Sequence, residues 1–194
     1  MKATEITAPV HRHMRADAHR NAERLLAAAK AAFAKHGVNA SLEDIARDAG
    51  VGIGTLYRHF PTRQALLEGV LWDFLEALRA QAMDLLTSPS PGDALAAWLR
   101  FVLVQATAYQ GLAAAFETIL RDEGSSVWTF CLDVLAAGEE LLTHAKQSGA
   151  VRSDADFTDL VKLVSAIAWA TEKTDDPARA DRLLALVMDG LRPR

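Results

Sequence analysis

At 194 residues the chain is long enough to bury a core, as one large domain or two small ones, and 51% of it is hydrophobic while only 7% is aromatic. A single cysteine, Cys131, excludes an internal disulfide, and no run of about 18 uninterrupted apolar residues argues for a membrane span. The formal net charge of −4 is unevenly spread: residues 1–63 hold ten Lys and Arg against six Asp and Glu, whereas residues 64–194 hold eleven against nineteen.

Five of the six histidines (11, 13, 19, 36 and 59) also lie in the basic front part. A basic front joined to an acidic remainder fits a protein of which only the front meets phosphate. Ala and Leu are abundant and no stretch alternates β-branched residues, so the expected fold class is all-α. Residues 1–16 carry charges and Pro9 but no apolar h-region; they read as a flexible N-terminal arm rather than a signal peptide, and the expected compartment is the cytoplasm.

From Asp17 to His36, Leu25, Leu26, Ala29 and Phe33 recur at helical spacing, and Gly37 follows the basic pair Lys35-His36 as a stop. Ser41 is placed to cap a short helix over residues 41–49, with Glu43 and Asp44 at its positive end and Leu42, Ile45, Ala46 and Ala49 facing inward. Gly50-Val51-Gly52 links it to a second short helix from Ile53 to Phe60, which Pro61 ends. Thr62 caps a long connecting helix over residues 62–86, and Thr87-Ser88-Pro89-Ser90-Pro91-Gly92 is a loop. Five further helices are expected over 93–109, 111–122, 125–148, 154–173 and 176–191.

Two short helices joined by a tight glycine-containing turn and bracketed by long ones form the helix-turn-helix pattern over residues 17–61. On the second short helix, Gly52 and Ile53 open the chain to close approach. Thr55 offers a hydroxyl and a methyl to a phosphate, a base edge or a thymine methyl, Tyr57 and His59 donate to phosphate oxygens, and Arg58 adds charge. Leu56 and Phe60 face the core. Ser41, and Thr62 with Arg63, add helix N-termini suited to an anion. His11-x-His13 is a weak metal pair, no metal is expected, and Arg12, Arg15 and Arg20 read either as solvated charges or as an arm reaching DNA. Gly52-Ile53-Gly54 follows a helix and lacks a third glycine, so it is not a nucleotide loop, and no P-loop, Gly-x-Ser-x-Gly or His-Glu-x-x-His is present; an enzyme is not expected.

The stretch Leu25–Val70 resembles the DNA-binding domain of the TetR family. Its marks are Phe33 and Gly37, Ser41 with Ile45-Ala46, Ala49-Gly50-Val51, Gly54-Thr55-Leu56-Tyr57, His59-Phe60 and Leu66. The resemblance implies DNA contacts from Ser41, Gly52, Ile53, Thr55, Tyr57, His59 and the Thr62-Arg63 turn, and it implies a homodimer, a near-palindromic operator and repression. Some members carry lysine where this chain has Thr62-Arg63. The Ala-rich C-terminal half, with Gly149-Ala150-Val151-Arg152 before a helix, resembles the SbtR-like sensor domains, which implies a small-molecule effector and no other cofactor.

Within residues 87–194, Trp98, Phe101, Phe116, Trp128, Cys131 and Trp169 are core by default, with a subset as candidate walls of an effector cavity. Gln105, Thr107, Tyr109, Glu117, Thr118 and Thr129 interrupt the apolar faces as candidate polar contacts. Leu160, Leu163, Val164, Ile167, Leu183, Leu186 and Val187 are candidates for a dimer seam on the last two helices. Two rival classes remain beside the regulator: a sequence-indifferent architectural DNA binder, which the acidic C-terminal half opposes, and a helical enzyme or carrier with a decayed helix-turn-helix, which the intact Thr55-Leu56-Tyr57 opposes.

Overall fold

The computed structural model describes residues 8–108, 112–171, 176 and 178–193, with side chains from Asp17 onward apart from 108, 113 and 114. Tyr109 lies outside the described residues, as do the side chains of His11, Arg12, His13 and Arg15. Among the described residues there are nine α-helices and no strand: α1 Ala8–His36, α2 Leu42–Asp48, α3 Ile53–His59, α4 Arg63–Leu85, α5 Pro91–Ala108, α6 Ala113–Leu120, α7 Ser126–Gln147, α8 Phe157–Thr171 and α9 Arg179–Gly190. The all-α expectation holds.

Three boundaries move for identifiable reasons. Helix α1 begins at Ala8 rather than Asp17, so residues 8–16 are helical; Pro9 fits there because a first-turn residue needs no N–H partner. Pro91 likewise starts α5 instead of belonging to a loop, with the Ser90 carbonyl accepting the first helical bond from Ala94. Helix α8 starts at Phe157 and not at 154, because Asp156 caps it through the Asp159 amide at 3.0 Å while Asp154 pairs with Arg152.

Helices α2 and α7 close with the same hydrogen-bond pair. Val51 N–H donates to Ala46 O and Gly50 N–H to Arg47 O; Ala150 N–H donates to Ala145 O and Gly149 N–H to Lys146 O. This double bond requires a left-handed residue just past the helix, and Gly50 and Gly149 supply it at φ 66° and 74°.

The chain forms two compact units, Met1–Val70 and Leu71–Arg194, so the division falls inside α4, the expected connecting helix. In the first unit Leu25, Ala29 and Phe33 make a fully buried stripe on α1 against Ile45 and Ala46 of α2, Leu56 of α3 and Leu66 of α4. The second unit is organised around α5, which packs against α7, α8 and α9. Its buried residues Leu95, Trp98, Leu99 and Leu103 meet Val134, Leu141, Leu160 and Val164 from the neighbouring helices in one apolar interior.

Candidate nucleic-acid interface

Helix α3 is short, and its two faces differ. Leu56 is completely buried, whereas Ile53 is 36% and Tyr57 45% exposed, and Gly52, Gly54 and Arg58 also lie on the surface. Thr55 and His59 are half-buried at the margins. A Cβ at Gly52 or Gly54 would meet nothing within 4 Å, so the backbone at the start of α3 stands open to a close partner. The outward set Ile53, Gly54, Tyr57 and Arg58 has the one-turn spacing of a helix face, and all four point away from the core that holds Leu56.

What holds α3 in place comes from outside it. Phe60, its C-cap, packs on Gly69 of α4, where an added Cβ would lie 2.9 Å from the Phe60 ring and 3.0 Å from Leu26 of α1. Gly69 is therefore a packing position that sequence reading missed. A glycine inside a long helix, opposite two apolar residues already assigned to the core, was the available signal.

The candidate helix N-termini are formed as expected. Ser41 Oγ accepts from the Asp44 amide at 3.1 Å and Thr62 Oγ1 from the Ala65 amide at 3.0 Å. Arg63, a candidate phosphate contact, turns one guanidinium nitrogen inward. It is half-buried, and its Nη1 donates to the Val38 carbonyl at 2.9 Å and to the Ala40 carbonyl at 2.6 Å.

In the second unit the candidate effector residues divide. Trp98 is core: its indole N–H donates to the Leu78 carbonyl of α4 at 3.1 Å, and its ring lies 6.0 Å from that of Phe157. Phe101 and Gln105 follow it one and two turns along the same face of α5 and are half-buried, as are Trp128 and Cys131 on α7. Burial raises the Cys131 thiol above its ordinary pKa. Phe116 is buried on α6, 6.1 Å from Phe74 of α4, but Glu117, Thr118, Thr107 and Thr129 face solvent. Trp169 is 78% exposed on α8 and so lines no interior wall of the unit.

The seam candidates divide as well. Leu160, Val164 and Ile167 are buried in the unit's own core, because α8 turns that face toward α5. Leu163 and Leu186 are 46% and 68% exposed, and Leu183 and Val187 are half-buried. Leu183 and Leu186 line a shallow surface groove with Arg179, Arg182 and Ala185. Two ion pairs fix the start of α9: Arg100 of α5 grips both oxygens of Asp181 at 2.8 and 3.0 Å, and Arg182 holds Asp176. Both carboxyls are held below their usual range, in each case first by the arginine's hydrogen bond.

Among the described residues no three His, Cys, Asp or Glu side chains gather as a metal site, and no helix is long and apolar enough to cross a membrane. Residues 25–70 match the family described as "Bacterial regulatory proteins, tetR family", and residues 90–193, more than half the chain, match "Transcriptional regulator SbtR-like, C-terminal domain". The chain belongs to the TetR family.

This TetR-family chain is 40% identical to a TetR transcriptional regulator of Streptomyces coelicolor, with a TM-score of 0.74 over 89% of this chain and 98% of that one. A TetR transcription regulatory protein of Mycobacterium vanbaalenii is 35% identical, with a TM-score of 0.70 over 93% and 99%. The HTH-type transcriptional repressor KstR2 of Rhodococcus jostii (strain RHA1) is 25% identical over 186 residues, covering 86% of this chain and 89% of the relative. TetR-family regulators are DNA-binding transcription factors, not enzymes; they are typically repressors and act as dimers with small-molecule effectors. In this member the helix-turn-helix is α2 and α3.

Proposed function

We propose that the chain is a homodimeric, sequence-specific repressor, released from a near-palindromic operator by a small, largely apolar effector. The observation that carries this reading is the outward face of α3, where Ile53, Gly54, Tyr57 and Arg58 project from a helix anchored by Leu56. Ile53, Gly54 and Thr55 would meet base edges in the major groove, while Tyr57, Arg58, His59 and the capped turns at Ser41 and Thr62 would meet phosphates. In a dimer the two copies of α3 would enter successive major grooves, roughly 34–36 Å apart or somewhat more.

The dimer seam in this reading is the exposed apolar strip of α8 and α9 around Leu163, Leu183, Leu186 and Val187. The effector site draws on Phe101, Gln105, Trp128 and Cys131, whose half-burial leaves surface for a ligand to cover. Helix α4 contributes to both units, and an effector that binds one separation of the two DNA-binding units better than the other shifts the dimer toward it.

The test is a selection. Purified protein is mixed with sheared DNA from its own source, and retained fragments are sequenced at moderate salt. A few sharp sites with an inverted repeat are expected; uniform retention across sequences overturns the specific reading in favour of an architectural binder.

A further inference from the structure

Arg63 occupies the first position of α4, but its side chain runs back across the helix-turn-helix. Both hydrogens of Nη1 are taken by backbone carbonyls, Val38 at 2.9 Å and Ala40 at 2.6 Å. These carbonyls belong to the 3₁₀ turn Gly37–Asn39 and its C-cap, in the gap between the helical ladders of α1 and α2. Ala40 immediately precedes Ser41, the cap of α2, and Arg63 immediately follows Thr62, whose hydroxyl caps α4. One guanidinium thus ties together the starts of two helices 21 residues apart in sequence. A carbonyl bonded to a charged donor is held more firmly than one bonded to a neutral partner.

Beyond its buried core of Leu42, Ile45, Ala46 and Leu56, the helix-turn-helix is also held at its two ends. Its far end is fixed by Phe60 against Gly69 and Leu26; its near end is fixed by Arg63. Without Arg63, α2 and α3 would keep their apolar packing through Ile45, Ala46 and Leu56 but lose the two charged bonds that fix the chain leading into α2. A small tilt of α2 would then change the angle at which the outward residues of α3 meet a groove.

We infer that Arg63 is a positioning residue for DNA binding: it sets the orientation of α2 and α3 through the Val38 and Ala40 carbonyls and is not itself a phosphate ligand. The inference rests on the DNA-binding reading above. It assigns Arg63 a role distinct from the one its place at a helix N-terminus suggests, because Nη1 is turned inward onto two backbone carbonyls.

The experiment measures operator affinity across a salt series for the full-length wild type, R63A and R63K, using a site recovered by the selection. Hydrogen exchange of residues 38–44 is followed in each DNA-free protein. Expected for R63A are a loss of about tenfold or more in affinity, a salt slope unchanged to within about 0.5, and faster exchange over 38–44. Expected for R63K, whose ammonium can bond both carbonyls, is recovery of most of the affinity and of the slow exchange.

A direct phosphate ligand would behave otherwise. The R63A slope would shrink by about 1.8 for the two copies in a dimer, with exchange over 38–44 untouched, and that result overturns the inference. So does an R63A affinity equal to wild type in a fully folded sample, which would leave Arg63 a stabilising role alone. Should R63A fail to fold, R63Q takes its place: affinity lost together with raised exchange supports positioning, and affinity kept, or lost with exchange unchanged, overturns it. A wild type that retains no specific site sinks the DNA-binding reading and this inference with it, an outcome distinct from any difference among variants.

Discussion

The indole N–H of Trp98 donates to the Leu78 carbonyl at 3.1 Å, which bonds the central helix of the second unit to the backbone of α4. Opposite the indole, Gly138 leaves the space the ring occupies: a Cβ there would lie 2.8 Å from Cζ3 of Trp98 and 2.6 Å from Phe157. Trp98→Phe should lower stability by about 1–3 kcal/mol through the lost bond and the partial void. Gly138→Ala should destabilise by about 1–3 kcal/mol through overpacking, despite alanine's better helix propensity. Because Phe lacks the outer indole atoms, the double variant should lose less than the sum. Urea unfolding of the four proteins in a cycle measures the coupling, and strict additivity would contradict the contact.

The two faces of α3 separate stability from DNA binding. Leu56→Ala removes a completely buried side chain and should cost about 2–5 kcal/mol in unfolding free energy. Tyr57→Ala removes a half-exposed ring and should leave the melting temperature within a few degrees while weakening binding to all DNA sequences alike. Thermal melts beside operator titrations make the comparison; a Tyr57→Ala protein with wild-type affinity would exclude that side chain from the interface.

On the proposed dimer seam, Leu186→Glu places a charge on a largely exposed position of α9, where the isolated protomer tolerates it. The expected outcome is an unchanged helical signal and a shift from dimer to monomer by sedimentation velocity, with operator affinity falling in parallel. A dimer that persists at micromolar concentration would move the seam elsewhere.

Cys131 should be a sluggish thiol. Burial raises its pKa, so the thiolate fraction near pH 7–8 lies below that of a free cysteine, and half-burial adds a steric barrier. A thiol-reactive dye should label the native protein more slowly than the urea-unfolded chain, with the rate rising as pH increases. Equal rates in the two states would show that the side chain is open.

The Arg100–Asp181 pair gives a pH signature with a definite sign. Asp181 is held below its ordinary carboxyl range by the arginine's hydrogen bond and charge. Its stabilising contribution is therefore complete above the unfolded carboxyl value, near pH 4, and disappears as pH falls through the lower folded value. The melting-temperature gap between wild type and Arg100→Gln should be constant above about pH 5 and close below about pH 4. Both groups are largely exposed, so the gap should be small and should shrink with salt.

The helices and their stops were legible because local chemistry decides them. Gly37, Gly50 and Gly149 mark ends that do adopt positive φ, and Ser41 caps where a serine ahead of Glu43 and Asp44 should. The outward positions of α3 were readable for a related reason: the helix is so short that burying Leu56 fixes which positions face outward. What the sequence withheld depends on contacts distant along the chain. Nothing near Arg63 indicates two carbonyl partners 23 and 25 residues earlier. The apolar face of α8 likewise does not reveal whether Leu160, Val164 and Ile167 fill their own unit or a partner's, since either burial produces the same periodicity. Only the packing of α5 against α8 assigns them inward.

The boundary between the two units falls between Val70 and Leu71, in the middle of a continuous helix. Anyone who grafts this DNA-binding unit onto another sensor therefore has no loop in which to hide the join. Adding or deleting one residue there would turn everything downstream by about 100° and shift it by about 1.5 Å along the helix axis. Chimeras spliced in register should stay responsive, while those off by one or two residues would fold and still answer to no signal. In evolution the same arithmetic would let substitutions accumulate at the exposed positions of this helix while selecting against changes in its length.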